Sequence, residues 1–198
     1  PEAESQIQKI VEACGDDMAV IRHKRKTKLI VESGTFSFPF SVQPGDALIV
    51  FSKKNVICCA ADLQRKGYKC SLIYGSLPYD VRQNEVDKFL SGETDFVVST
   101  DAIGMGMNLP VRRIVFLETE KFDGISRRKL KDTEVKQIAG RAGRFGLYEA
   151  GYCTSEFDRK FIRKSLDAEI LPIQAAVLAF QESLIMIDGK LSSIMEQW

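Results

Sequence analysis

The sequence predicts an α/β domain built on a mainly parallel sheet, and two observations carry this prediction. Short runs of branched apolar residues alternate with segments whose apolar positions recur at helical spacing. Strands separated by helices of this length need right-handed crossovers, which place the strands side by side and parallel. With 198 residues, of which 44% are hydrophobic, the chain can bury one good core beside a small helical appendix.

The predicted elements alternate along most of the chain. Apolar runs predict strands at 47–51, 68–75, 95–100, 112–118 and 149–154. Helical periodicity predicts helices at 53–66, 78–90 and around 133–143. Ser52 suits the N-cap of the first helix, Gly67 suits its end, and Pro78 suits the first turn of the second helix.

Three regions follow from this pattern. They are an N-terminal helical linker at 1–17, the α/β domain at 18–155, and a helical C-terminal extension at 156–198. Residues 18–31, at the start of the α/β domain, predict a strand or a hairpin. The apolar positions of the extension have two interpretations, helices packed on the α/β domain or an apolar face that is left exposed.

Charge and cysteine content exclude some classes of function. Lys and Arg number 28 against 27 Asp and Glu, and this balance argues neither for nor against a nucleic-acid partner. The five cysteines contain no CxxC pair and His23 is the only histidine, so we expect no metal site. Scattered thiols suit a reducing, intracellular compartment. The longest apolar run, 170–180, is too short to cross a bilayer, so we expect no membrane partner.

The segment QIAGRAGRFG at 137–146 sets Arg141 and Arg144 three positions apart among small residues. Gly140 and Gly143 would each cost a helix about 1 kcal/mol relative to alanine, which indicates backbone that has to approach another group closely. The donor fork of arginine binds phosphate oxygens bidentately. The pair therefore predicts contact with a phosphate chain, and two solvated surface charges are the alternative.

Two more segments carry ligand-binding chemistry at the ends of predicted strands, where open parallel sheets bind ligands. In STDAIGMGMNLP at 99–110, Thr100 can donate to a phosphate, Asp101 can accept from a ribose hydroxyl, and the glycines allow close approach. YGSLPYDVR at 74–82 offers Ser76 and backbone amides at a helix start, which suits an anion. The alternatives are a flexible turn at GMGMN and a plain helix cap at Ser76.

The order FSKKN, YGSLPYDVR, STDAIGMGMNLP, QIAGRAGRFG resembles the second RecA-like domain of a superfamily 2 helicase. QIAGRAGRFG is very similar to the Q-x-x-G-R-x-G-R motif of that group. The segments together resemble the DExH RNA helicases of the mitochondrial RNA degradosome and their bacterial relatives, over roughly 20–155. The resemblance implies an ATP-dependent RNA helicase of the bacterial cytoplasm or the mitochondrial matrix. Its implied partner is RNA, single-stranded or a 3′-tailed duplex, and an exoribonuclease is a candidate partner.

The resemblance also implies a role for each matching residue. The implied catalytic group is the arginine finger Arg144 on the γ-phosphate, Arg141 beside it, and Gln137, which helps to position the attacking water or the nucleotide. The implied nucleotide-binding group is Asp101 at the ribose, with Gly104, Gly106 and Gly140. The implied RNA-binding group is Ser52, Gly75, Ser76 and Thr100. These RNA contacts would read the backbone and not the base sequence.

Two motifs that phosphoryl transfer requires do not occur in the sequence. They are the GxxxxGK[ST] phosphate loop and the Asp-Glu box for magnesium. The resemblance therefore implies that ATP and Mg²⁺ are held mainly by an N-terminal RecA-like domain of the same parent chain, and that this chain does not hydrolyse ATP alone. The alternatives are a non-catalytic RecA-like module that binds RNA or protein, and a DNA translocase domain.

Two basic clusters, RHKRKTK at 22–28 and SRRKLK at 126–131, have two interpretations. A lysine-rich strand edge or loop prevents strand pairing between chains, so the clusters can be solvated edges. Alternatively, they widen the RNA track or contact the missing domain, and residues 121–132 then form a loop at the cleft. Few aromatic residues interleave with either cluster, which argues against base stacking there.

Overall fold

The computed structural model describes residues 2–104, 107, 109–175 and 193. Residues 22–169 form one compact unit, and the described residues of the two terminal segments form a second. In the second unit, α1 (Glu4–Ala13) is followed by irregular chain, and the Gln6 side chain donates to the carbonyl oxygens of Ile173 and Gln174 at 3.2 and 3.0 Å. Gly106 and most of the predicted helical extension lie outside the described residues.

A six-stranded parallel sheet forms the centre of the described part of residues 22–169. Its strands are β1 (Lys28–Val31), β2 (Asp46–Ile49), β3 (Cys70–Ile73), β4 (Phe96–Ser99), β5 (Arg113–Phe116) and β8 (Ala150–Ser155). They lie in the order β1-β8-β5-β2-β4-β3. Ile49 is level with Ser99 on one side and with Phe116 on the other, so neighbouring strands end at one common edge. The predicted α/β class is confirmed.

Helices cover both faces of this sheet. They are α2 (Lys53–Arg65), α3 (Tyr79–Leu90), α4 (Asp132–Ala139) and α5 (Arg159–Asp167). As predicted, Ser52 caps α2, because its hydroxyl oxygen accepts the backbone N–H of Asn55 at 3.0 Å. Gly67 follows α2 with a φ of 81°, a left-handed conformation that glycine adopts without steric cost.

Alternating side chains of the strands build one apolar layer on each face. In β2, Ala47 and Ile49 join a cluster with residues of α3, α4 and α5, whereas Leu48 packs with residues of α2 on the opposite face. The segment 36–42 covers part of that second face through Phe36 and Val42. Successive residues therefore face opposite layers, which explains why the strands appear in the sequence as continuous apolar runs.

A buried ion pair links the amino ends of two neighbouring strands. Asp46 begins β2 and is fully buried, and Arg113 begins β5 and is 5% exposed. The guanidinium of Arg113 donates to both carboxylate oxygens of Asp46, at 3.0 and 2.6 Å, and also to Glu32 at 2.9 Å. The backbone N–H of Gln43 donates to the same aspartate at 2.8 Å. The pair is thus fully hydrogen-bonded, as a buried pair needs to be.

The structure differs from the sequence-based expectation in three places. Within 18–31 only β1 is a strand, because the charged residues before it offer no apolar face. The expected loop at 121–132 includes an antiparallel hairpin of β6 (Glu120–Phe122) and β7 (Arg127–Lys129). The helix expected around 133–143 ends at Ala139, where the glycine-containing turn of the arginine segment begins.

Candidate functional site

The residues predicted to hold phosphates lie where three neighbouring strands end. Ser52 follows β2, Gly75 and Ser76 follow β3, and Thr100 directly follows β4. Because β2, β4 and β3 are neighbours in the sheet, all four residues belong to its carboxyl edge. We call this group the carboxyl-edge group.

The carboxyl-edge residues differ in exposure and in the hydrogen bonds that they already form within the domain. Gly75 and Ser76 are exposed in a turn closed by the N–H of Leu77, which donates to the Tyr74 carbonyl oxygen at 3.1 Å. Thr100 is 9% exposed, and its hydroxyl oxygen accepts the N–H of Ala102 at 3.3 Å. The alternative that Ser76 is a helix cap is wrong, because α3 starts at Tyr79 with Pro78 at the N-cap position.

Glu118 fixes the position of Ser52, and the sequence analysis did not single it out. Its carboxylate accepts the N–H of Phe51 at 2.7 Å and the side-chain amide of Asn55 at 2.5 Å. These bonds hold the first turn of α2 against the chain that leaves β5. No local pattern marks Glu118, since its partners lie more than 60 residues earlier in the sequence.

A short 3-10 turn, Asp101–Gly104, leads away from the carboxyl edge. The carboxylate of Asp101 is 41% exposed and forms an ion pair with the Lys121 ammonium at 2.8 Å. Gly104 is buried at the end of this turn, and a Cβ there would lie 3.2 Å from Cγ of Gln137. The turn thus links Asp101, the residue implied to bind the ribose, to the arginine segment.

The arginine segment lies against the amino ends of β5 and β8. Ala142 forms a parallel bridge with Val111, and the N–H of Gly143 donates to the Val111 carbonyl oxygen at 2.8 Å. Gly143 has a φ of 72°, and a Cβ there would lie 2.4 Å from the Cα of Gly151. Only glycine tolerates both this positive φ and this short distance. The backbone of the segment therefore approaches another group closely, as the sequence predicts, and in this structure that group is the backbone of Gly151.

The two arginines of the segment have different surroundings. Arg141 donates to the carbonyl oxygen of Gly104 and, at 3.4 Å, to that of Met107, and Gln137 also donates to Gly104 at 3.3 Å. Arg144 is exposed, and among the described residues nothing hydrogen-bonds or pairs with its guanidinium. Arg141 and Gln137 therefore hold the end of the Asp101–Gly104 turn, whereas the exposed Arg144 is accessible to a ligand.

An ion-pair network connects the β6–β7 hairpin to the Asp101–Gly104 turn and to α4. Lys121 in β6 bridges Asp101 at 2.8 Å and Glu134 of α4 at 2.7 Å. Arg128 in β7 binds Glu134 with two hydrogen bonds, at 2.9 and 3.0 Å. Burial lowers the pKa of Lys121, but its hydrogen bonds to Asp101 and Glu134 outweigh burial and raise that pKa above the ordinary value. Lys121 therefore stays charged at neutral pH.

Glu134 makes this network sensitive to acid. Burial raises its pKa, but hydrogen bonds from Arg128 and Lys121 outweigh burial and lower the pKa from 4.5 to about 2. A carboxyl group whose pKa is lowered by folding stabilises the fold above its unfolded pKa, and that contribution disappears as the pH falls through the folded pKa. The pH window for Glu134 therefore extends from 4.5 down to about 2.

We expect Glu134→Gln to lower the free energy of unfolding by about 1 to 2 kcal/mol at neutral pH, because solvent screens part of the pairing with Lys121 and Arg128. The deficit should shrink at about pH 3, where part of the wild-type Glu134 contribution is already lost. Urea denaturation at both pH values measures it, with Glu149→Gln at an exposed glutamate as the control. A deficit that is equal at both pH values would contradict this role.

Side chains that could ligate a metal are scattered over the described residues. No group of three or more metal-ligating side chains occurs among them. Burial raises the pKa of Cys59 and of Cys153 to about 12, so both thiols are protonated at neutral pH. None of the described helices is both long enough and apolar enough to span a lipid bilayer.

The sequence matches a known protein family. Residues 26–146 match the family described as helicase conserved C-terminal domain. The chain belongs to this family. The mitochondrial ATP-dependent RNA helicase SUV3 of Candida albicans is 46% identical over 140 residues, covering 70% of this chain and 19% of the relative. The mitochondrial DExH-box ATP-dependent RNA helicase DExH16 of Arabidopsis thaliana is 39% identical over 142 residues, covering 70% of this chain and 25% of the relative.

Solved structures show the fold of this domain. The C-terminal domain of the DEAD-box protein Dbp5 matches with a TM-score of 0.53 and 19% identity, over 74% of this chain and 88% of that chain. A Dbp5 from S. cerevisiae matches with a TM-score of 0.59 and 16% identity, over 85% of this chain and 47% of that chain. The helicase C-terminal domain thus has the RecA-like fold that the sequence resemblance implies. It spans about a fifth to a quarter of the curated relatives described above.

Proposed function

We propose that this helicase C-terminal domain is the second motor domain of an ATP-dependent RNA helicase. The observation that carries the proposal is the guanidinium of Arg144, which is exposed and has no partner among the described residues, beside a turn that Arg141 and Gln137 hold in place. An exposed cation on a segment that is anchored to the domain suits a developing phosphate charge that another domain presents. Arg144 is then the arginine finger, with Arg141 beside it.

The nucleotide side of the site consists of the arginine segment and the turn that it holds. Asp101 would accept from the ribose, and Gly104, Gly106 and Gly140 would allow backbone to approach the nucleotide. Gln137 would help to position the attacking water or the nucleotide. The phosphate loop and magnesium carboxylates are missing from the sequence, so ATP with Mg²⁺ would be held mainly by an N-terminal RecA-like domain. The chain by itself would then not hydrolyse ATP.

The RNA side of the site is the carboxyl-edge group. Ser52, Gly75, Ser76 and Thr100 lie at the ends of three adjacent strands, so they can follow successive phosphates of one strand of RNA. The arginine segment lies beside the amino ends of β5 and β8. The Asp101–Gly104 turn starts directly after Thr100 and connects the two groups, so nucleotide and RNA would be bound side by side.

The mechanism follows from this division. ATP in the cleft draws two RNA-bound domains together, and Arg144 stabilises the transferring phosphoryl group only when the cleft is closed. The network of Lys121, Asp101 and Glu134 ties the hairpin to the nucleotide side, so closure and hairpin position are coupled. Opening after hydrolysis lets one domain advance along the strand.

The relatives suggest where the protein works and with what. The named relatives in Candida albicans and Arabidopsis thaliana are mitochondrial, which supports the mitochondrial matrix over the bacterial cytoplasm. RNA is the proposed polymer because those relatives are RNA helicases. The exoribonuclease partner is proposed from the resemblance to degradosome helicases.

A comparison of RNA with DNA tests the proposal. We expect a single-stranded oligoribonucleotide to stimulate ATP hydrolysis by the intact protein at least about tenfold more than the DNA of the same sequence, because 2′-hydroxyl contacts distinguish the two polymers. The measurement is steady-state phosphate release at saturating ATP. Equal stimulation would favour a DNA translocase, and no ATP hydrolysis with either polymer would favour a non-catalytic binding module.

A further inference from the structure

Arg25 belongs to the basic run 22–28, yet its side chain contacts the arginine segment, 115 residues further along the chain. Its Nε donates to the carbonyl oxygen of Thr27 at 2.6 Å and its Nη1 to that of Gly140 at 2.7 Å. Its Nη2 donates to the carbonyl oxygen of Ala142. Thr27 is buried directly before β1, so this one guanidinium joins the edge of the sheet to the arginine segment.

The carbonyl groups of Gly140 and Ala142 stand on either side of Arg141 in the sequence. At the end of α4, the carbonyl oxygens of Ile138 and Ala139 each accept a backbone N–H of the following turn at 3.1 Å. The carbonyl groups of a last helical turn need such partners. Those of Gly140 and Ala142 receive the fork of Arg25, whose positive charge also suits the carboxyl end of a helix.

A second residue of the same run contacts the other end of the arginine segment. The ammonium of Lys26 lies 4.8 Å from the centre of the Phe145 ring, within the range of a cation–π contact. Phe145 directly follows Arg144. Residues 25 and 26 thus hold the segment before and after the exposed Arg144.

We infer that Arg25 is a positioning residue that sets the orientation of the arginine segment, and so the direction from which Arg144 reaches the nucleotide. The inference rests on the proposed function, because it gives Arg144 a nucleotide to reach. Three of the five N–H donors of Arg25 are directed at carbonyl groups, so the orientation of its fork is set by the arginine segment and by Thr27. The contacts of Arg25 thus differ from both interpretations of the basic run, which were a solvated strand edge and a part of the RNA track.

Three variants of the intact protein test the role: Arg25→Ala, Arg25→Lys and the control Arg163→Ala, which removes an exposed arginine of α5 outside both basic clusters. The kcat of RNA-stimulated ATP hydrolysis, the KM for ATP, the Kd for RNA and the Tm are measured for each. We expect Arg25→Ala to lower kcat about tenfold or more, because a small displacement of a catalytic group is costly, with Kd and Tm close to wild type. Arg25→Lys should recover part of the loss, because an ammonium reaches one carbonyl but lacks the fork. Arg163→Ala should match wild type.

The outcomes separate this inference from the proposed function, with Arg144→Ala assayed in parallel. If Arg144→Ala is inactive and Arg25→Ala keeps the wild-type kcat, the inference fails and the proposed function stands. If Arg144→Ala itself keeps the wild-type kcat, the proposed function fails. A raised Kd for RNA with unchanged kcat in Arg25→Ala would assign Arg25 to an RNA surface and overturn the inference. The inference would also be overturned if Arg25→Ala lost kcat together with a fall in Tm and Arg25→Lys did not recover the rate.

Discussion

Arg144→Ala is expected to lower the kcat of RNA-stimulated ATP hydrolysis by the intact protein about a thousandfold, with RNA affinity unchanged. The reason is that an arginine finger acts on charge that develops only in the transition state, where it is worth three to five orders of magnitude in rate, roughly. Arg144 is exposed and unpaired among the described residues, so its removal breaks no side-chain hydrogen bond or ion pair with any of them. Single-turnover phosphate release with saturating RNA and ATP measures the effect.

Arg163→Ala is the matched control, because it removes one exposed arginine from α5 and not from the arginine segment. The control should keep the wild-type rate and RNA affinity. A similar, small change in both variants would mean that Arg144 is a surface charge. The non-catalytic binding module would then explain the chain better.

Asp46→Asn is expected to lower the free energy of unfolding by about 3 to 5 kcal/mol, the usual cost of breaking a buried ion pair. The asparagine leaves the guanidinium of Arg113 buried without the partner that holds it with two hydrogen bonds, at 3.0 and 2.6 Å. Glu32 still contacts Arg113 at 2.9 Å, which keeps the loss near the lower end of this range. Urea denaturation of the 198-residue chain, followed by circular dichroism, measures the loss.

The matched control for this variant is Asp167→Asn at the exposed end of α5. A surface change of this kind should stay within about 0.5 kcal/mol of wild type. If Asp46→Asn were equally mild, the pair would contribute no stability to the amino ends of β2 and β5. Its role would then be to specify how the two strands align.

The fold could be predicted because its determinants are local. Leu48 and Val98 lie in short apolar runs that match a strand buried on both faces, and Ser52 precedes a helix with the expected cap geometry. The hairpin could not be predicted in the same way. Its strands, Glu120–Phe122 and Arg127–Lys129, are mostly charged and show no alternation of apolar and polar residues.

Some residues of the candidate site could likewise be predicted from the sequence, and others could not. The arginine segment is recognisable because its glycines and arginines are close in sequence, and the structure gives Gly143 a steric reason. The groups that hold the segment are not recognisable, because Arg25 reaches Gly140 across 115 residues and Lys121 reaches Asp101 across 20. A charged residue in a basic or acidic run carries no sign of which distant carbonyl or carboxylate it will meet.

The most direct test of the second-motor-domain assignment is the position of Arg144 in the closed state. A structure of the intact protein with single-stranded RNA and ADP–aluminium fluoride, which imitates the transferring phosphoryl group, would show it. We predict the Arg144 guanidinium at hydrogen-bond distance, about 3 Å, from the fluoride group, with Arg141 beside it. A closed complex in which the analogue is bound and Arg144 still faces solvent would contradict the account.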